Sequence, residues 1–148
     1  MPDNMRLTEI GARGPAARAL AIVQIVTGIG IFAFWLLFFT IGLAPAKPPP
    51  CFFEFENSFP IPDAILATGL IASGVAMNRG LAWGSPISLA CSGGLLFLGL
   101  IDLSFTAQSG GFRGPISDAL QSAFISLWVI VLGIWIIRSH MTSSAPAT

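Results

Sequence analysis

ALAIVQIVTGIGIFAFWLLFFTIGL, residues 19–43, holds no charged side chain from one end to the other. A helix rises about 1.5 Å per residue, so roughly 20 apolar residues cross the hydrocarbon core of a bilayer. This stretch is long enough to cross once. It is continuously apolar rather than alternating, and in lipid only a helix satisfies every backbone group within a single segment. Three further stretches follow. Residues 61–77 are the shortest, sufficient only if Phe59 and Pro60 lie at the interface. Residues 81–105 carry Asp102 near their end, and residues 119–137 stop at Arg138. The expected fold is an all-α membrane protein, a four-transmembrane-helix antiparallel bundle. It divides into a cytoplasmic N-terminal segment (1–18), a transmembrane domain (19–138) and a disordered cytoplasmic tail (139–148).

Composition agrees. Of 148 residues, 54% are hydrophobic and only 9% charged, with a mean hydropathy of +0.81. A soluble domain carries about 25% charge, so these residues do not supply a water-facing surface. Net charge is zero and no Lys/Arg cluster occurs, which removes the electrostatic footprint of a nucleic-acid partner.

Arg13 and Arg18 before the first stretch, and Ala44-Pro45-Ala46 after it, resemble the flanks of a signal peptide. Signal cores run about 7–15 residues, so an uncleaved helix is expected. Arg6, Arg13, Arg18, Arg79 and Arg138 fall on one side of the membrane, against Lys47 and Arg113 on the other. The positive-inside rule then places both termini in the cytoplasm of a multi-pass protein of the cytoplasmic membrane. Trp83 and Trp135 fall at the same cytoplasmic interface, as aromatic belts do.

Threaded this way, Glu54, Glu56, Asp63, Asp102 and Asp118 collect at the outer face, five of seven carboxylates. The first outer loop holds Pro48-Pro49-Pro50, which favours extended polyproline, and then Cys51-Phe52-Phe53-Glu54-Phe55-Glu56. That alternation is readable as a short strand, and better as a segment on the interface with its phenylalanines dipped into lipid. In the cytoplasmic turn Asn78-Arg79-Gly80 makes the second and third helices neighbours. Ser117 and Asp118 read as an N-cap for the fourth.

Asp102 and Glu56 are the sharpest site residues, because ionisable groups in or against a membrane are functional suspects by default. Asp63, in a first helical turn after Pro62, is already accounted for by the helix dipole, yet it belongs to the same constellation. Glu56, Asp63 and Asp102 are thus the candidate ion, proton or ligand site, with Arg113 as a possible charge partner for Asp102. Carboxylates so gathered bind a cation or share a proton. No resident metal or cofactor is expected. His140 is the only histidine, and Cys51 and Cys91 stand far apart. Cys91 reads as a small packing residue and Cys51 as an incidental loop thiol. Gly69/Ser73 and Ala90/Gly94, each four apart, suit close helix approach. No G-x-S-x-G, H-E-x-x-H or phosphate-cradling glycine loop occurs, so an enzyme is the least supported class.

The run Phe55-Glu56-Asn57-Ser58-Phe59-Pro60-Ile61-Pro62-Asp63, with Leu98-Gly99-Leu100-Ile101-Asp102 and Gly110-Gly111-Phe112 after it, resembles a group of uncharacterised small four-helix membrane proteins. An E-x-x-F-P-x-x-D motif leads into their second helix and an aspartate ends their third. The resemblance implies four-helix topology and marks Glu56, Asp63 and Asp102, without implying an activity. Two functional expectations follow. The first is a protein acting by association, as an accessory or scaffold subunit or a homo-oligomer. The second is a small proton- or cation-coupled carrier or channel subunit using the outer carboxylates.

Overall fold

A computed structural model of the chain describes residues 14–45 and 47–143. The described residues are helical without strands: α1 (Pro15–Ile41), α2 (Phe52–Glu56), α3 (Pro60–Asn78), α4 (Gly84–Gln108), a 3-10 turn (Gly111–Arg113) and α5 (Ile116–Ser143). The four long helices are each long and apolar enough to cross a membrane. Large apolar side chains stand outward on all of them, among them Leu36, Ile65, Phe97 and Val131. Water does not tolerate so continuous an apolar surface; lipid does, and the fold is that of a multi-pass membrane protein. Arg6, Arg13 and the part of the tail from Ser144 onward lie outside the described residues, as does Ala46 of the cleavage-like tripeptide.

Helix ends differ from the sequence expectation in ways the local chemistry explains. Pro15 and Pro60 sit in the first turns of α1 and α3, where a missing N–H costs nothing. Gly42 closes α1 in the left-handed conformation that glycine adopts freely. α4 starts at Gly84 rather than Leu81, since Gly80 turns the chain at φ 77° and residues 81–83 form the turn. α5 starts at Ile116, before the expected cap, and runs through Ser143, into the stretch expected to be a disordered tail. Ser117 therefore does not cap it; its hydroxyl donates to Asp118 Oδ1 at 3.0 Å, and Asp118 occupies the first turn.

Packing runs from α1 to α3, from α3 to α4, and from α4 to α5. Glycines set these approaches. A Cβ on Gly74 would lie 2.6 Å from the Ala21 carbonyl, and one on Gly99 would lie 2.7 Å from that of Ser126. Neither helix pair tolerates a side chain there, which is how small residues let helices touch in lipid. The core between them holds Leu20, Leu70, Leu95, Leu132 and Ile136, with Cys91 beside Gly69.

The core is also polar at one point. Gln24 on α1 is fully buried, and its Oε1 accepts hydrogen bonds from Ser73 on α3 (3.0 Å) and Ser88 on α4 (2.9 Å). Its amide donates to Met77 Sδ at 3.7 Å. One side chain thereby joins three helices. Less than one turn further along α1, Thr27 Oγ1 accepts a hydrogen bond from Trp128 Nε1 of α5 at 3.2 Å.

Candidate functional site

α2 is the element that assembles the site. The alternation of phenylalanine and glutamate does not make a strand; it makes a short helix. Phe55 packs against Phe59, at the N-cap of α3, with ring centroids 4.8 Å apart. Phe55 also stacks on Phe105 of α4, at 3.9 Å and 4° between planes. Cys51 enters the turn at φ 61°, a strained conformation for a residue with a Cβ. With α2 pinned to the end of α4, Glu56 comes under the electrostatic influence of Asp63 and Asp102.

Asp63 is the innermost of the three, only 8% exposed. Trp35 on α1 donates its indole N–H to Asp63 Oδ2 at 3.0 Å. Phe34, Phe38 and Phe39 pack around that indole and hold it in place. Asp102, on α4, is half-buried and interacts with the charges of both Glu56 and Asp63. Glu56 is half-buried as well. Burial first, and then the nearby Asp63 charge, push its carboxyl up from 4.5 to about 7.

No ion pair within 4.0 Å reaches any of these carboxylates among the described residues. Arg113 ends the 3-10 turn with its side chain exposed, and it forms no such pair with Asp102. Glu54 is exposed in the first turn of α2 and Asp118 lies in the first turn of α5; neither is among the charges that act on Glu56 or Asp102. Among the described residues no group of three or more His, Cys, Asp or Glu side chains is disposed to hold a metal ion. What the arrangement offers chemically is proton exchange and attraction for a cation.

Beside Asp63 a cleft of about 170 Å³ opens between α3 and α4, walled by Ser58, Phe59, Pro62, Leu66, Gly94, Phe97 and Leu98. Sequence reasoning did not find this cleft, nor the Trp35 donor or the Gln24 node. A lone glutamine in a charge-free span was a legible signal, because a buried amide needs partners. Trp35 gave none, since its acceptor lies 28 positions away on another helix.

Fold and site together define the class: a small helical membrane protein with an ionisable cluster at one end of its spans. No known protein family, curated protein or solved structure matches the chain.

Proposed function

We propose that this chain is a four-helix antiparallel bundle of the cytoplasmic membrane, both termini cytoplasmic, working as a small proton- or cation-coupled carrier or channel subunit through Glu56, Asp63 and Asp102. Antiparallel order is supported by the pairing of Trp35, late in α1, with Asp63, at the start of α3, while Gly74, late in α3, meets Ala21, early in α1. Arg18, Arg79 and Arg138 at the termini side and Lys47 and Arg113 opposite support the orientation. The observation that carries the functional reading is the buried Asp63 carboxylate, held by Trp35, with two more carboxylates acting on one another beside it and no ion pair among the described residues to offset them.

Reconstituted vesicles test it. Proton or monovalent-cation flux is expected in wild type and is expected to fall at least tenfold in Asp102→Asn. Unchanged flux in that variant would remove the basis of the proposal.

A second reading, association as a scaffold subunit or homo-oligomer, is favoured by one observation. Ala90 and Gly93 stand exposed on α4, and nothing lies within 4 Å of a Cβ placed on Gly93. A bare small-residue face accommodates another helix closely. Crosslinking in membranes that captures no neighbour, with a strictly monomeric purified protein, would dispose of it.

A further inference from the structure

Three features compete for a role beyond the one proposed: the Gln24 node, the free thiol of Cys51, and the cleft between α3 and α4. The node's hydrogen-bonding groups are satisfied inside the fold, and Cys51 is a lone, exposed cysteine. The cleft is different, because an open acceptor lies in its wall.

Asp63 contributes to that wall, although the residue is almost wholly buried. Trp35 occupies Oδ2 only. Oδ1 accepts no hydrogen bond among the described residues, and it is not among the polar atoms sealed from their surroundings. A buried carboxylate oxygen without a partner, in a residue that lines a largely apolar cleft, is costly unless something arrives to satisfy it. The rest of the wall says what would fit. Phe59, Pro62, Leu66, Phe97 and Leu98 are apolar, Gly94 leaves its position bare, and Ser58, the one other polar residue there, already gives its hydroxyl proton to the Glu54 carbonyl. Two of these are aromatic rings, whose faces attract cations. Phe97 is 66% exposed, so the cleft opens sideways toward the lipid rather than along the bundle axis.

Volume sets the size. An apolar cavity of about 150 Å³ holds a benzene molecule, and this cleft measures about 170 Å³. A ring-sized body with one positive group fills it. A hydrated inorganic ion would leave the apolar wall unused, and a neutral hydrocarbon would leave Asp63 unanswered.

We infer that the α3–α4 cleft binds a small lipophilic organic cation, an aryl- or alkylammonium reaching it from the bilayer, with Asp63 as counter-ion and Phe59 and Phe97 against its apolar body. This names the substrate class of the site proposed above and rests on that reading. Trp35 is a positioning residue, holding the Asp63 carboxylate through Oδ2 and leaving Oδ1 for the guest.

The test is equilibrium binding of benzyltrimethylammonium to the full chain in nanodiscs of phosphatidylglycerol, a lipid without an amine, read by calorimetry. Neopentylbenzene, its neutral isostere, is the control. The cation is expected to bind at least tenfold more tightly than the isostere. Asp63→Asn is expected to erase that preference, and Leu98→Trp, which fills the cleft while leaving every carboxylate in place, to weaken binding by the same order. Folding of each variant is checked by circular dichroism, so that loss of binding with loss of helix is not counted. Equal binding of cation and isostere, or unchanged binding in both variants, overturns the inference. Repeating the measurement with phosphatidylethanolamine present identifies a lipid amine as the guest if that lipid alone abolishes binding, which also overturns it. Inorganic cation or proton flux that depends on Asp102 but ignores benzyltrimethylammonium leaves the functional proposal intact and defeats this one. Selective binding without any flux does the reverse.

Discussion

Trp35 and Asp63 meet across 3.0 Å between α1 and α3, an indole N–H donating to a carboxylate that is 8% exposed. A hydrogen bond to a charged acceptor is among the stronger kind, and removing one partner of a buried pair leaves the other uncompensated. Trp35→Phe keeps the ring and deletes the donor. It is expected to cost about 1–3 kcal/mol, measured by denaturant titration of the protein in mild detergent micelles. Because the pair acts as a unit, the loss is expected to shrink when Trp35→Phe is made on an Asp63→Leu background. Full additivity of the two changes would mean the bond contributes nothing.

Glu56 supplies a pH signature. Its carboxyl sits near 7 rather than 4.5 because burial, and secondly the Asp63 charge, disfavour ionisation; Asp102 is the other acid facing it. A group that holds its proton more tightly when folded stabilises the fold fully below its unfolded value, and that contribution is lost as pH rises through the folded one. Stability is therefore expected to decline from about pH 4.5 to about pH 7, and the decline to be shallower in Glu56→Gln. Parallel stability curves for the two proteins would assign the pH dependence to other groups.

How much of this was legible beforehand depends on the range over which each signal acts. The four spans were readable because lipid imposes a long, local demand for apolarity, visible in residues 19–43 without any knowledge of neighbours. Glu56 and Asp102 were readable as charges in apolar company. The helicity of α2 was hidden, since alternating Phe and Glu fits a period of two as readily as it fits a short helix; the choice is made by Phe105, about fifty residues on. Asp63 looked sufficient as a helix-dipole residue, and only the fold supplied Trp35 and the cleft that give it more to do.

Gln24 ties three helices, so its replacement reports on the bundle as a whole. Interhelical hydrogen bonds in membranes average about 0.6 kcal/mol, and Gln24 accepts two. Gln24→Leu is expected to cost about 1–3 kcal/mol, because Ser88 is left with a buried hydroxyl and no other partner among the described residues. Adding Ser88→Ala is expected to recover part of that loss rather than deepen it. Unfolding of single and double variants in detergent measures both, and a double variant less stable than the single would contradict the account.

The glycine contacts give the sharpest contrast, since two positions of one residue type have opposite surroundings. A Cβ on Gly74 would sit 2.6 Å from the Ala21 carbonyl, a backbone atom that moves only if α1 moves. Overpacking of this kind typically costs about 1–3 kcal/mol, which exceeds the ~1 kcal/mol that alanine gains over glycine in a helix. Gly74→Ala is accordingly expected to be destabilising. At Gly93 nothing lies within 4 Å, so only the propensity difference remains, and Gly93→Ala is expected to be neutral or stabilising. Thermal unfolding of the two variants side by side decides it. If Gly74→Ala proved as stable as Gly93→Ala, α1 and α3 would not be packed as closely as the Gly74–Ala21 approach requires.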